Sequence, residues 1–165
     1  MDKEIIQKAS QIKLMVFDVD GVLTDGRLIW TSEGAEARSF DVKDGTGIRL
    51  LLSHHIEVAV ISARKSNIVA NRMKDLGIEH VYQGCFDKKP VLDALIVMLD
   101  ITMQQVAYMG DDFIDLSAMN SAGLALAPAD AHETVRQQAD WVTSANGGRG
   151  AARQACDLIL KAQSI

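Results

Sequence analysis

Short apolar runs alternate with helix-period stretches along the whole chain, and this alternation leaves few folds open. Leu14 to Phe17, Glu57 to Ile61, His80 to Gln83, Val106 to Met109, Leu124 to Ala127 and Asp140 to Val142 read as six strands. Between them, Lys65 to Leu76 is helical and closed by Gly77, and Lys88 to Leu99 is helical with Pro90 in its first turn. Ile114 to Ser121 and the stretch between the last two strands complete the set. Strand–helix repetition of this kind predicts an α/β fold, a Rossmann-like doubly wound parallel sheet covered on both faces. Three further pieces frame it. Asp2 to Gln11 reads as a short amphipathic helix. Asp44-Gly45-Thr46-Gly47 opens a helix to about His54 with the aspartate at its N-cap, and Ala151 to Ala162 forms a last helix behind Gly147-Gly148-Arg149-Gly150. Leu28-Ile29-Trp30 and Ala37 to Phe40 flank Ser32-Glu33-Gly34 and predict a β-hairpin, an insert over about residues 27–41.

The first apolar run breaks off into Asp18 and Asp20, followed at once by Gly21. A buried parallel strand ends where charge begins, so both aspartates project from the carboxyl end of the sheet, where open α/β sheets build their sites. Residues two apart in an extended chain point the same way, and two carboxylates that close repel unless a cation lies between them. A turn pair is the plain alternative, since Asp and Gly are ordinary turn residues. Other strand ends are polar too. The second carries Ser62, the fourth Asp111, Asp112 and Asp115, and Lys88 lies just after the third at a helix start.

The 165 residues carry a net charge of −5, which argues against a broad nucleic-acid surface and requires any positive charge for an anionic ligand to be gathered locally. Cys85 and Cys156 form no CxxC pair and no disulfide framework. No apolar run is long enough to span a membrane and the first ten residues do not read as a signal peptide, so a cytoplasmic protein is expected. One domain over residues 1–165 is the simplest partition, with a tail over about 146–165.

The order DVDGVLTDG, Ser62 in VISAR, Lys88, and GDDFID resembles the four motifs of the haloacid dehalogenase superfamily of phosphotransferases. That resemblance covers the chain and implies catalytic residues Asp18, Asp20, Ser62 and Lys88. Asp18 would be the nucleophile that carries an aspartyl-phosphate, and Asp20 the general acid and base. Mg²⁺ would be held by Asp18, the backbone carbonyl of Asp20, and Asp111. Ser62 and Lys88 would bind the transferring phosphoryl oxygens. Asp115 would hold a metal-bound water or orient Lys88, and Asp112 would be structural. A weak carboxylate nucleophile suits the loose transition state of phosphoryl transfer. Two departures from the pattern stand out: Ala63 follows Ser62 where glycine is common, and no cap domain is inserted, the hairpin being the one candidate.

Within the superfamily, GVLTDG, FDVKDGTGIRLL, ISARKS, LGIEHVYQG, VAYMGDD and GGRGAARQACDLIL are similar to the 3-deoxy-D-manno-octulosonate 8-phosphate phosphatases. This implies hydrolysis of that phosphate in lipopolysaccharide precursor synthesis. It also implies a homotetramer in which the hairpins join and the tail of one chain reaches a neighbour's site. Substrate contacts would be Asp20, Asp41, Val42, Lys43, Asp44, Gly45, Arg49, Arg64, Arg72 and Lys88. Arg49 and Arg64 are placed by the strand pattern to flank the site, where either could pair bidentately with a carboxylate. Alternatives are a phosphatase of nine-carbon sialic-acid-like 9-phosphates, which tends to carry Glu where Arg64 stands, and a broad sugar-phosphate phosphatase. A receiver domain fits less well, because the third strand ends Tyr82-Gln83-Gly84 without a carboxylate. A member of the fold that has lost catalysis is the remaining class.

Overall fold

The apolar runs assemble as the pattern predicts. The computed structural model describes residues 2–164. Six parallel strands form the main sheet: β1 (Leu14–Phe17), β4 (Glu57–Ser62), β5 (His80–Gln83), β6 (Val106–Met109), β7 (Leu124–Ala127) and β8 (Trp141–Val142), in the order β5-β4-β1-β6-β7-β8. All four β1 side chains are fully buried because both faces of the sheet are covered. Alternate residues divide between the two faces. Met15, Phe17, Val58, Val60, Ala107 and Met109 pack under helices α1 (Lys3–Ala9), α2 (Val42–Ser53), α3 (Asn67–Leu76) and α7 (Ala151–Ala162). Leu14, Val16, Ala59, Ile61, Val106 and Tyr108 pack under α4 (Lys89–Met98), α5 (Leu116–Met119) and α6 (Glu133–Gln138).

The strand order reverses at β1. The chain runs from β1 to β4 and β5 on one side, then crosses to β6 and β7 on the other. The carboxyl end of β1 therefore opens at a topological switch point, flanked by the ends of β4 and β6. The insert is shorter than its sequence suggests: β2 (Ile29–Trp30) and β3 (Glu36–Ala37) form a two-residue antiparallel ladder. Leu28, Ile29 and Trp30 are exposed on it.

One expectation needs correction. Asp41, not Asp44, is the N-cap of α2; its extended backbone lets the carboxylate accept from the Lys43 N–H at 2.7 Å. Asp44 lies inside the first turn, buried, and caps a different helix. It accepts from the backbone N–H of Arg153 at 2.7 Å and of Gly150 at 3.3 Å. Gly150, at φ +103°, offers no side chain for the cap of α7, so Asp44 supplies it from α2.

The tail packs against the body of its own chain over residues 147–162. The Gly148 N–H donates to the Val22 carbonyl at 2.8 Å, and that of Gly147 to Asp130 Oδ1 at 2.9 Å. Ala151, Ala152, Ala155, Cys156, Leu158, Ile159 and Leu160 are buried in the core beneath α2 and α1. Burial of the larger of these is worth about 1.5–3 kcal/mol each, against a total of about 5–15 kcal/mol for a domain. Deleting the chain from Gly147 onward is therefore expected to abolish cooperative thermal unfolding. Asp44→Ala, which removes only the cap, is expected to keep it while costing about 1–2 kcal/mol in a urea titration; no loss of stability would contradict the capping role.

Candidate active site

The carboxyl ends of β1 and β6 bring three carboxylates together. One oxygen from each of Asp18, Asp111 and Asp115 lies within 4.8 Å of the others. The Asp18 N–H donates to the Met109 carbonyl at 3.0 Å, continuing the β1–β6 ladder one residue past the strand and fixing the Asp18 backbone. Gly21, at φ +89°, lets the loop turn back against Asp111: a Cβ there would collide with the Asp111 carboxylate. The buried Thr24 hydroxyl ties that loop, accepting from the N–H groups of Gly21 and Gly26 and donating to the Val19 carbonyl at 3.3 Å.

Lys88 is the counter-charge. Its side chain is fully buried, with Nζ 2.8 Å from Asp18 Oδ1 and 2.6 Å from Asp115 Oδ1. Asp115 is held from every side: the Tyr108 hydroxyl donates to Oδ1 at 3.1 Å, and the N–H groups of Asp111 and Asp112 donate to Oδ2 at 3.1 and 3.3 Å. Asp115 thus orients Lys88 and has few lone pairs left for a metal. Asp112, exposed, caps the turn at Phe113.

The electrostatics follow from this packing. Burial first, then the Asp115 charge, pushes Asp18 up to about 7 against the pull of Lys88. Burial and the charges of Asp18 and Asp115 push Asp111 up to about 8. Burial lowers Lys88, but the Asp18 and Asp115 carboxylates together outweigh it and hold the ammonium above its ordinary value. Three carboxylates and one ammonium leave a formal charge of −2, and the donors are all oxygen. This set fits a hard divalent cation of the Mg²⁺ kind.

Around this centre lie the other expected residues. Ser62 ends β4, buried, its hydroxyl oxygen accepting from the Arg64 N–H at 3.3 Å. Asp20 stands on the rim with 22% of its side chain exposed, paired with Arg38 of the hairpin. Arg64 is exposed near Glu36 and, with Arg38 and Ser66, holds the Glu36 carboxyl below its usual range, the Arg38 hydrogen bond being the largest cause. The remaining arginines turn elsewhere. Arg49 donates from Nη2 to the Asp75 carbonyl at 2.6 Å, and Arg72 lies over the Phe40 ring at 5.8 Å with its Nε unpartnered among the described residues. Val42 and Lys43 are exposed on the first turn of α2 beside Asp41, and Gly45 is covered by Arg72.

Sequence reasoning missed Arg38, Glu36, Thr24 and Tyr108. The Glu36-x-Arg38 spacing was the available signal, because residues two apart on a strand share a face.

Residues 54–154 match the haloacid dehalogenase-like hydrolase family. The chain is 47% identical to the 3-deoxy-D-manno-octulosonate 8-phosphate phosphatase of Escherichia coli (strain K12), over 97% of this chain and 85% of that one. The chain belongs to the haloacid dehalogenase-like hydrolases. Two solved structures of this family align closely with it. The 3-deoxy-D-manno-octulosonate 8-phosphate phosphatase of Yersinia pestis superposes with TM-score 0.98 at 44% identity, covering 99% of this chain and 89% of that one. That of Moraxella catarrhalis, in complex with magnesium, phosphate and a KDO molecule, gives TM-score 0.97 at 44% identity, covering 99% and 94%.

Asp18 and Asp111 titrate above their unfolded value of 3.8, so their contribution to metal-free stability is complete below about pH 4 and lost as pH rises through about 7 to 8. Metal binding displaces those protons. Mg²⁺ is therefore expected to raise the melting temperature more at about pH 8.5 than at about pH 6. An equal rise at both would contradict this reading of the cluster.

Proposed function

We propose that this hydrolase is the Mg²⁺-dependent phosphatase of 3-deoxy-D-manno-octulosonate 8-phosphate, releasing the octulosonate and phosphate. The observation that carries the chemistry is the buried Asp18–Lys88–Asp115 arrangement at the switch point, with Asp111 beside it. The substrate comes from the full-length similarity to phosphatases named for it, one of them solved with a KDO molecule and phosphate.

Asp18 attacks phosphorus with a carboxylate oxygen, the bond to the sugar oxygen breaks, and Asp20 protonates that oxygen. Asp20 then takes a proton from water as the water oxygen bonds to phosphorus and the aspartyl-phosphate bond breaks. Such proton transfer is worth about 10²–10⁴ in rate. Lys88 favours the ionised form of Asp18 by direct contact, opposing burial, and with Ser62 offers donors to the phosphoryl oxygens. Asp18, Asp111 and the Asp20 carbonyl hold Mg²⁺, which when bound offsets the charge on the transferring group.

The chain works as one phosphatase domain without a cap. Asp41 to Gly45, Arg49, Arg64 and Arg72 are the candidate sugar-acid contacts, with Arg64 exposed near Glu36 and Arg49 and Arg72 engaged in this chain by the Asp75 carbonyl and the Phe40 ring. The exposed Leu28, Ile29 and Trp30 favour pairing of hairpins in a homotetramer. No helix among the described residues is long and apolar enough to cross a membrane, which suits a cytoplasmic enzyme acting on a small phosphate.

The test is phosphate release from 3-deoxy-D-manno-octulosonate 8-phosphate, a nine-carbon 9-phosphate and p-nitrophenyl phosphate, each with and without Mg²⁺. The octulosonate ester should be strongly preferred and its hydrolysis Mg²⁺-dependent; equal weak rates on all three would remove the substrate assignment. Asp18→Asn should abolish turnover with an unchanged circular dichroism spectrum. Light scattering should give a mass near four times 18.0 kDa, and a monomer would refute hairpin-mediated assembly.

A further inference from the structure

Arg38 belongs to none of the four motifs, yet its side chain is only 1% exposed on an otherwise exposed hairpin. A guanidinium that far from water needs acceptors for its fork. It has two, on opposite sides. Nη1 is paired with Asp20 Oδ1, while Nε and Nη2 both donate to Glu36 Oε1, at 3.0 and 2.9 Å. Glu36 is anchored in turn, its second oxygen accepting from the Ser66 hydroxyl at 3.4 Å. The Ser66 N–H donates to Gln83 Oε1 at 2.7 Å, at the end of β5. The hairpin is thus latched to the rim of the sheet, and the far end of the latch grips one oxygen of Asp20. Among the described residues, Arg38 is the one side-chain hydrogen-bond partner Asp20 has.

We propose that Arg38, braced by Glu36, is the positioning residue for Asp20. By fixing Oδ1, it aims the other carboxylate oxygen at the leaving-group oxygen. The inference rests on the reading of Asp20 as general acid and base, and it gives the hairpin of a capless enzyme a duty inside its own active site. When the Asp18 oxygen bonds to phosphorus and the ester P–O bond breaks, the electron pair stays on the leaving oxygen. An aliphatic alkoxide needs the Asp20 proton at that moment; nitrophenolate is stable without it. Misplacing an acid by about 1 Å costs up to about 10²-fold, so a loosened Asp20 is exposed by poor leaving groups.

The experiment measures kcat and KM for the protein with Mg²⁺ on p-nitrophenyl, phenyl and benzyl phosphate. It compares the wild type with Asp20→Asn, Arg38→Met, Arg38→Lys and Glu36→Gln, with a thermal melt for each. For Arg38→Met, the ratio of kcat on p-nitrophenyl phosphate to kcat on benzyl phosphate should rise about 10- to 100-fold, with KM little changed. Arg38→Lys, which keeps a cation, should recover most of that ratio, and Glu36→Gln should fall between. If Arg38→Met does not fold, the Glu36→Gln ratio decides. A uniform loss across all three esters in folded variants, while Asp20→Asn shows the leaving-group dependence, would overturn the positioning role. Absence of that dependence in Asp20→Asn would overturn the general-acid reading itself, and the proposal with it. None of these esters contains a sugar acid, so the outcome is separate from the substrate assignment.

Discussion

A single fully buried lysine ammonium placed among carboxylates is the constraint on which this structure turns. Removing Lys88 would leave Asp18 and Asp115 buried without a counter-charge, a situation that typically costs about 3–5 kcal/mol. Keeping it leaves the site two negative charges in excess, because Asp111 adds a third carboxylate. The residual charge is what makes the centre a receptor for a divalent cation, and burial first, then the Asp115 charge, brings Asp18 in the metal-free state up to about 7. Tyr108 and two backbone N–H groups take up the remaining lone pairs of Asp115, so that its task is confined to holding Lys88. Function at this centre is set against folding, and the hydrogen bonds around Asp115 are how the fold tolerates it.

The sheet supplies the positions. Because the strand order reverses at β1, the aspartate that follows it has neighbours on both sides: Ser62 from β4, and Asp111 and Asp115 from beyond β6. None of these contacts depends on long-range loop placement. The hairpin is the exception. Its two-residue ladder is too short to be stable alone, and it is held to the body by the polar chain from Gln83 through Ser66, Glu36 and Arg38 to Asp20. Its apolar side chains Leu28, Ile29 and Trp30 remain exposed.

Much of this was legible from residue order. The four central strands β1, β4, β6 and β7 lie between two helix layers and read as almost unbroken hydrophobic segments, whereas the edge strands β5 and β8 are only half-buried and β5 carries His80 and Gln83. The four motifs placed Asp18, Ser62, Lys88 and Asp111 at strand ends. What escaped was set by contacts distant in sequence. Asp44 heads a turn-like Asp-Gly-Thr-Gly and reads as a local cap, but its carboxylate serves a helix more than a hundred positions further on. The glycines that lead into α7 carry no side chains from which their packing could be read, and their place against the loop after β1 emerges only in the fold. Arg38 reads as a surface charge on a hairpin, and only its three acceptor contacts reveal otherwise.

The central claim is covalent: the phosphoryl group rests on Asp18 between the two halves of the reaction. Acid quenching during steady-state turnover, followed by peptic digestion at low pH and fragmentation of the peptide that contains Asp18, tests it directly. The account predicts the mass of one phosphoryl group on Asp18, labile to mild base and absent without Mg²⁺. A phosphorylated residue elsewhere, or continued turnover with no acyl phosphate in this peptide under conditions where an acyl-phosphate standard survives, would contradict it.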